Sequence, residues 1–585
     1  MKRIKKLASL LLALVMVFAM SATAFAAEQN ENLQPPSGEE GGNNDNPSTD
    51  GNQDDATASQ PTISSGTYNI YQVFTGDYSE GILSNVKWGQ NGTGTVGEKV
   101  DIAILEELEA VYKDADNADN NFEIDDVAQL EVIKKYANLE NPIQTGTATS
   151  YTGLKAGYYL VGGTVTYSNG QTAETLYVVR VIDGTLTFMP KVGVPTVDKK
   201  IVEGEDRVET NEASIGDEVN YEITGTMPSN IANYNTYYYV FTDTLSKGLT
   251  FDKNSVVVTV DGVDVTKYFY VGEEINPETG SNTITIGIQD LLTLKHLNER
   301  IAIQFTENTK VVVTYKAILN EDAVIAGNGN PNDVKLDYSN DPNHSGDGST
   351  TPPETPEKPD PEHPTGETPK SEVVTYTTEL TILKTDENNK FLPGVEFTLT
   401  GNGVNIVLVT EEKFEAAADG EYWKLKDGTY TTTAPTVADD ETDNTADYDS
   451  VDTKYTKTTS VVAKGNGKTE TDVVGTVQAD GTVTFKGLGV GEYTITETKT
   501  LPGYNTIEPI KFTLTFNAET KTFVSDNSAV TVGTDNTLDT SIVNQKGSLL
   551  PSTGGIGTTI FYVVGGILVI GAGILLVTKK RMSAR

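Results

Sequence analysis

Short apolar segments, rich in β-branched and aromatic residues, recur along most of the chain and are separated by Gly, Asn and Asp. Residues 68–74, 256–260 and 493–497 are examples, and in many such segments apolar and polar positions alternate. Alternation with period two is typical of strands that bury one face. Helical periodicity is confined to residues 102–111 and 124–137. The pattern therefore predicts an all-β protein of serial β-sandwich domains, with a few helices in the N-terminal domain.

Two polar stretches divide this pattern into domains. Residues 28–62 are acidic and rich in Gly and Asn, which predicts a disordered spacer, and residues 341–372 are Pro-rich, which predicts an extended one. Three folded stretches remain at 63–190, 196–340 and 373–546, with a short linker at 191–195. Their short strands and frequent turn residues favour immunoglobulin-like sandwiches.

The N-terminus has the layout of a secretory signal. Four basic residues within the first six precede an apolar run at 7–20 and the small-residue site Ala24-Phe25-Ala26. We expect residues 1–27 to be removed on export. The alternative is an N-terminal membrane anchor, but a membrane span needs about 20 apolar residues and this core is shorter.

Composition argues against several classes of function. The net charge of −40 opposes nucleic-acid binding, and the absence of cysteine means that disulfides cannot staple the domains. The three histidines are scattered, two of them in the Pro-rich linker, which argues against a multi-histidine metal site or a histidine-dependent hydrolase. We expect no cofactor and no metal, while a hydrolase with paired carboxylates stays open.

The C-terminus combines a short motif, an apolar run at 556–577 and a basic tail, and the motif consists of Leu550, Pro551, Ser552, Thr553 and Gly554. The run is long enough to span a bilayer, and the tail would stay in the cytoplasm. Residues 550–585 resemble the cell-wall sorting signal of Gram-positive surface proteins. The resemblance implies transient membrane insertion, attack by a sortase on the Thr553 carbonyl, removal of the transmembrane helix, and anchoring to peptidoglycan. The alternative is an ordinary tail anchor.

A lysine at the first domain border is a candidate acceptor for Thr553. Residues 188–191 read Phe-Met-Pro-Lys, which resembles the Tyr-Pro-Lys core of the pilin motif in sortase-assembled major pilins, with Met189 in place of tyrosine. Residues 66–77 and 86–89 also resemble the N-terminal domain of these pilins. The resemblance implies that Lys191 of one copy receives Thr553 of the next, with tip and base pilins as further partners. A solvated linker lysine, or Lys199 or Lys200 as acceptor, is the alternative.

Three predicted strands of the third domain carry a lysine, an acid and an asparagine. Each stands an even number of positions from apolar residues of its strand, so each should lie on the same face as those residues. Lys384 and Glu497 each share a face with two apolar residues of their strands, and Asn544 shares one with Ile542. Burial lowers the pKa of a lysine and raises that of an acid, so a neutral amine can attack the Asn carboxamide while the acid shuttles protons. The set resembles the CNA-B-type domain, which implies a spontaneous Lys384–Asn544 isopeptide bond. Three unrelated strand residues are the alternative.

The second domain shows a similar set in Lys199, Asp243 and Asn340. The same parity test favours Lys199 over Lys200, which falls on the other face. The set resembles the CNA-A-type middle domain of pilins, which implies a Lys199–Asn340 bond promoted by Asp243.

The first domain repeats part of the third. Residues 153–161 and 487–495 share the pattern G-L-x-x-G-x-Y-x-[VI], which predicts a common strand and entry turn unless it is a hairpin coincidence. The alignment places Gly163 where Glu497 stands, so we predict no such bond in the first domain.

The motifs together predict a structural protein and not an enzyme with turnover. The leading hypothesis is the shaft subunit of a pilus, polymerised by sortase and anchored to the wall of a Gram-positive bacterium to support adhesion. The alternative is a monomeric wall-anchored adhesin with the same domain types. Residues 410–470 form a long polar insertion, which is interpreted as a solvated loop or as a surface for a host or bacterial partner.

Overall fold

The computed structural model describes two compact units, which we treat separately. The described residues are 60–79, 82–113, 126–181, 184–190, 192–297, 303–346, 348, 351–401, 406–436, 443–465 and 473–547. The first unit holds the first and second predicted domains, and the second unit holds the third together with segments 211–217 and 319–329. Strands dominate both units, as the alternating pattern predicts. The signal peptide, Lys191 and the sorting motif lie outside the described residues.

The first domain is a sheet covered by two helices. Its sheet runs β2-β1-β5-β6, with β3 paired to β1, while β4 and β7 form a small second sheet. Helix α1 begins after Asp101, whose carboxylate accepts a hydrogen bond from the Ala103 amide, as an N-cap does. The elements are β1 (Ile63–Ser79), β2 (Ile82–Trp88), α1 (Ile102–Lys113), α2 (Asp126–Lys135), β3 (Gln144–Gly146), β4 (Ser150–Thr152), β5 (Gly157–Tyr167), β6 (Thr172–Val181) and β7 (Thr185–Thr187).

The core of this domain lies between sheet and helices. Val73 and Phe74 of β1 are fully buried with Leu160 of β5, and Ile133 of α2 packs against the same cluster. The Phe74 and Trp88 rings lie 5.4 Å apart. Apolar positions of β1 therefore decide which face of the sheet the helices cover.

The second domain is a sandwich of two sheets. One sheet includes β20-β18-β12-β16-β15, with β19 also on β18, and the other runs β14-β13-β17-β11-β8-β9. Burial alternates along β17, so every second side chain faces inward. Its strands are β8 (Val197–Glu203), β9 (Asp206–Val208), β10 (Thr210–Glu212), β11 (Glu218–Thr226), β12 (Tyr239–Leu245), β13 (Leu249–Val260), β14 (Val263–Asp264), β15 (Tyr270–Ile275), β16 (Asn282–Ile288), β17 (Lys310–Leu319), β18 (Asn330–Ser339), β19 (Thr365–Glu367) and β20 (Ser371–Tyr376).

The Pro-rich segment predicted as a spacer is attached to the second domain instead. Strand β19 pairs with the end of β18, with Gly366 opposite Tyr338, and β20 lies beside β18 in the same sheet. The Gln289 side chain exchanges two hydrogen bonds with the backbone of Asp360, at 2.8 and 2.9 Å. Proline lacks a backbone donor but keeps its carbonyl, so such a segment can follow a sheet edge where few ladder bonds are needed.

The third domain has two sheets, of order β25-β24-β26-β23-β28-β21-β33-β32 and β27-β22-β29-β30-β31. Strands β21 and β33 are parallel neighbours, with Lys384 opposite Ile542. The strands are β21 (Thr378–Asp386), β22 (Glu396–Gly401), β23 (Val407–Ala416), β24 (Tyr422–Lys424), β25 (Tyr430–Thr431), β26 (Lys454–Lys464), β27 (Val473–Thr476), β28 (Thr482–Leu488), β29 (Gly491–Lys499), β30 (Ile510–Asn517), β31 (Thr522–Ser525), β32 (Thr531–Val532) and β33 (Leu538–Asn544).

The long polar insertion contains regular structure. Strands β23 and β26 pair over ten residues each, from Val407 opposite Lys464 to Ala416 opposite Tyr455. The Phe414 and Tyr430 rings stack with centroids 3.9 Å apart. The described part of the insertion is therefore a β-ribbon with a small aromatic cluster, where the sequence predicted a solvated loop; the alternative of a binding surface stays a prediction.

The repeated G-L-x-x-G-x-Y-x-[VI] pattern marks the same local structure in the first and third domains. Tyr159 donates to the Lys155 carbonyl and Tyr493 donates to the Gly489 carbonyl, each at 2.7 Å and each four residues back. At Gly163 an added Cβ would lie 2.0 Å from the Thr67 carbonyl oxygen. No side chain fits there without a backbone shift, which explains why this position carries no acid.

Candidate functional sites

Two lysines are fully buried within the described part of the chain, Lys199 on β8 and Lys384 on β21. Each occupies an inward position of an alternating strand, as the parity argument predicts. A buried charged amine is costly unless it is paired or neutral, so the neighbours of each lysine decide its chemistry.

The first of these clusters, called the Lys199 site, joins side chains from four strands. Lys199 Nζ lies 2.5 Å from Asp243 Oδ1, 2.8 Å from the Tyr315 hydroxyl and 2.7 Å from Asn332 Oδ1. The fourth contact closes the cluster, since Asn332 Nδ2 donates to the Tyr315 hydroxyl at 2.7 Å. Lys199, Asp243 and Asn332 are each fully buried. An amine, a carboxyl and a carboxamide thus meet in a space closed to water.

Burial changes the proton affinity of this pair. Complete desolvation lowers the pKa of Lys199 to about 8, although the Asp243 carboxylate beside it opposes the shift. Desolvation also raises the pKa of Asp243, against the effect of Lys199. Both changes favour a neutral amine beside a neutral acid, which is the state in which an amine can act as a nucleophile.

Lys200 is placed differently from its neighbour. Its amine lies 2.9 Å from Glu209 and 3.2 Å from Asp198 on the outer face of β8. The structure therefore puts Lys199 and not Lys200 in the cluster.

The structure brings Asn332, and not the predicted Asn340, to this site. Asn340 lies beyond the end of β18, is partly exposed, and its backbone amide donates to the Pro364 carbonyl. Val334 stands opposite Asp243 on β12, so Asn332 is two residues from that position and Asn340 is six. At about 3.3 Å per residue, Asn340 is about 20 Å along the strand from the acid. Both residues have the required parity, and parity alone does not fix the position along a strand.

The second cluster, called the Lys384 site, contains the predicted lysine, acid and asparagine. Asn544 Nδ2 donates to Glu497 Oε1 at 2.5 Å and to Thr500 Oγ1 at 2.9 Å. Lys384 Nζ donates to the backbone carbonyls of Thr385, at 3.0 Å, and Ile542, at 3.2 Å. Because Ile542 and Asn544 are two residues apart on β33, the amine and the carboxamide lie on the same stretch of strand.

The pKa of the lysine in this site is lowered, as it is at Lys199. Burial lowers the pKa of Lys384 to about 8, opposed by the charges of Glu497 and Asp386. Asn544 is fully buried, and its Oδ1 has no hydrogen-bond partner among the described residues. An unpartnered buried carbonyl oxygen is destabilising in a static structure and fits a group held ready for reaction.

Three family models match parts of the chain: "Gram-positive pilin backbone subunit 2, Cna-B-like domain" at 215–342, "Prealbumin-like fold domain" at 448–529, and "LPXTG cell wall anchor motif" at 542–583. The first range contains Asp243, Tyr315 and Asn332, and the second contains Glu497. The chain therefore carries a Gram-positive pilin-backbone domain and an LPXTG cell-wall anchor motif. It is a cell-wall-anchored surface protein, and the model matched at 215–342 is Cna-B-like where the sequence predicted a CNA-A type.

The chain is similar to one sequence relative and, at low TM-scores, to solved pilin structures. The trypsin-resistant surface T6 protein of Streptococcus pyogenes serotype M6 is 26% identical over 454 residues, which cover 73% of this chain and 75% of the relative. The solved T6 backbone pilin aligns with a TM-score of 0.40 and 16% identity, covering 83% of this chain and 98% of the other. Full-length SpaD from Corynebacterium diphtheriae aligns with a TM-score of 0.40 and 15% identity, covering 87% and 95%.

Other predictions fall outside the structure. Lys191 and the sorting motif at 550–554 are not among the described residues, although Met189, two residues before that lysine, is 84% exposed. The part of the chain that the structure describes contains no helix long and apolar enough to cross a membrane, and the predicted span lies beyond it.

Proposed function

We propose that the protein is the shaft subunit of a pilus, joined head to tail by a sortase. The sortase would cleave after Thr553 and transfer its acyl group to Lys191 of another copy. The anchor motif and the backbone-pilin domain support this proposal. The two buried lysine sites are its strongest support, because internal cross-links suit a subunit that bears load.

Each buried site forms an internal isopeptide bond in this proposal. Lys199 joins Asn332 with Asp243 as the acid, and Lys384 joins Asn544 with Glu497 as the acid. The contacts of 2.5–2.8 Å around Lys199 supply the proximity that makes an amine–carboxamide reaction feasible. Each bond ties an early strand of its domain to a late one, so tension along the chain would pass through the covalent link.

Intact-mass measurement of the purified full chain tests the internal bonds. Each bond releases one ammonia, so two bonds should lower the mass by about 34 Da relative to the uncross-linked chain. Peptide mapping should then recover Lys199 linked to Asn332 and Lys384 linked to Asn544. A mass equal to that of the uncross-linked chain would refute both bonds.

The ladder that polymers form on a denaturing gel tests the shaft role and separates it from a monomeric wall-anchored adhesin. The Lys191→Ala variant should abolish high-mass ladders in the pilus-bearing strain, whereas Lys200→Ala should keep them because its amine is held by ion pairs on the outer face of β8. Ladders that persist in Lys191→Ala would exclude this lysine as acceptor, and a native strain without ladders would favour the adhesin.

A further inference from the structure

Tyr315 lies at the centre of the Lys199 site, although its strand pattern alone gives no reason to single it out. Its hydroxyl accepts hydrogen bonds from Lys199 Nζ at 2.8 Å and from Asn332 Nδ2 at 2.7 Å. The same hydroxyl donates to Asp243 Oδ2 at 2.7 Å. One oxygen therefore touches the attacking amine, the leaving amide nitrogen and the acid.

Isopeptide formation needs a proton at the nitrogen that leaves. Lys199 Nζ must lose protons as its bond to Asn332 Cγ forms, and Asn332 Nδ2 must gain one to depart as ammonia. Within the described part of the chain, the side-chain hydrogen bonds of Asp243 run to Lys199 and Tyr315, and Asn332 Nδ2 is reached through Tyr315.

We propose that Tyr315 is a catalytic proton relay for the Lys199–Asn332 bond, a role that rests on the proposed internal cross-link. Lys199 first gives one proton to the Tyr315 oxygen while the Tyr315 hydroxyl gives its own to Asp243 Oδ2, which leaves a neutral amine and a neutral acid. Nζ then attacks Cγ of Asn332. In one concerted shift Nζ gives its next proton to Asp243 Oδ1, Oδ2 gives the acid proton to the Tyr315 oxygen, and the Tyr315 hydroxyl proton moves to Nδ2. The C–N bond of the carboxamide breaks, ammonia leaves, and the tyrosine and the neutral acid are restored.

The surroundings hold this hydroxyl in position and in its protonated form. The Tyr315 ring stacks on Tyr221 at 5.1 Å and meets Phe251 edge-on at 5.5 Å, so the ring has little room to rotate. Burial, aided by the neighbouring Asp243 charge, raises the pKa of Tyr315 well above its ordinary value. The hydroxyl keeps its proton at neutral pH until a neighbour takes it.

The Lys384 site shows why only one of the two sites needs such a relay. There Glu497 Oε1 contacts the leaving nitrogen of Asn544 directly, at 2.5 Å. The longer acid side chain reaches the carboxamide without a bridge. The Lys384–Asn544 bond is thus an internal control in the same molecule.

Refolding kinetics of the full chain with the Tyr315→Phe substitution test the relay. Denaturant-solubilised chain, shown by mass to be uncross-linked, is refolded by dilution, and each bond is followed by quenched peptide mapping. The matched control is Tyr239→Phe, which removes another buried hydroxyl of the same domain, one that donates to the Thr226 carbonyl. Tyrosine and tryptophan fluorescence reports folding separately from bond formation.

The relay predicts that Tyr315→Phe folds but forms the Lys199–Asn332 bond about a hundredfold more slowly, with the Lys384–Asn544 bond at its native rate. Tyr239→Phe should form both bonds at native rates. Equal slowing in the two variants, or a native rate in Tyr315→Phe, would overturn the relay. A native chain that never forms the Lys199–Asn332 bond would overturn the cross-link itself, and the relay with it.

Discussion

The Lys199 site and the Lys384 site each contain an amine, a carboxyl and a carboxamide, but the carboxyl contacts a different partner in each. In the Lys199 site the acid touches the amine, and the carboxamide reaches the acid through a tyrosine. In the Lys384 site the acid touches the carboxamide, and the amine donates to two backbone carbonyls. The difference follows from side-chain length and strand placement, since Asp243 is one methylene shorter than Glu497.

The two arrangements nevertheless shift the pKa of the amine in the same direction. Burial lowers the pKa of Lys199 and of Lys384 to about 8 in each case. At Lys199 an adjacent carboxylate limits the shift, and at Lys384 the charges of Glu497 and Asp386 do so. A neutral amine is therefore favoured whether the acid contacts the amine or the carboxamide. What differs between the sites is the path by which the proton reaches the leaving nitrogen.

The largest effect is expected from removing the carboxamide of the Lys199 site. Asn332→Ala leaves no electrophile, so the second-domain bond should be absent and the mass of the chain should show one ammonia loss only. By the loop-closure argument, a cross-link between residues 133 apart stabilises its domain by about 5 kcal/mol. Urea unfolding followed by limited proteolysis should therefore show the second domain opening at lower denaturant.

Asn340→Ala is the matched control for that experiment. It removes the asparagine that the sequence favoured, at a partly exposed position outside the cluster. Both ammonia losses should persist. A variant that lost the second-domain bond through Asn340 alone would return the assignment to that residue and contradict the observed cluster.

The sequence predicted the strands, the inward position of each lysine, and all three groups of the Lys384 site. Parity sufficed there because Asn544 is the one asparagine within β33 and stands at a buried position of that alternating strand. It failed in the second domain because Asn332 and Asn340 have the same parity eight residues apart, and only the pairing register of β12 with β18 shows which of them reaches Asp243.

Strand register and long-range strand pairing also explain why the sequence did not predict Tyr315 in the Lys199 site or the sheet pairing of residues 365–376. Tyr315 enters the site because β17 pairs with β11, which sets Tyr315 opposite Tyr221, and β11 in turn pairs with β8. The 365–376 segment joins a sheet because β18 offers it an open edge, which its own composition does not reveal. The pattern of apolar and polar residues within one strand shows which face of that strand is buried. It does not show which other strand will pair with it.

A smaller effect is expected from pH, and it tests how each amine loses its proton. At the Lys384 site the amine donates to backbone carbonyls and burial lowers its pKa to about 8, so its neutral fraction falls about tenfold per unit below that pH. In refolding assays of the full chain, the Lys384–Asn544 bond should therefore form about tenfold more slowly at each unit below pH 8. At the Lys199 site the amine passes its proton to Asp243 and the pair keeps it, so the rate of the Lys199–Asn332 bond should change little between pH 6 and 8. A tenfold fall per unit at both sites would contradict the transfer from Lys199 to Asp243, and a constant rate at Lys384 would contradict a neutral-amine mechanism there.

The smallest effect is expected at the second acceptor of the Asn544 amide. Thr500 Oγ1 accepts from Asn544 Nδ2 at 2.9 Å, beside the stronger contact with Glu497. Thr500→Val keeps the side-chain shape and removes one neutral hydrogen bond, with a net value of about 1 kcal/mol. If that bond orients the carboxamide, the Lys384–Asn544 bond should form about fivefold more slowly on refolding, while the Lys199–Asn332 bond keeps its rate.

Thr498→Val is the matched control, since Thr498 is exposed near the end of β29, its hydroxyl donates to the Glu396 carbonyl, and it lies outside the Lys384 site. It should leave both rates unchanged. A loss as large as that expected for Tyr315→Phe would mean that the Lys384 site also depends on a hydroxyl to pass its proton, because a lost orienting contact accounts only for a small factor. In that case the direct acid–carboxamide contact would not be sufficient, and the two sites would follow one proton path after all.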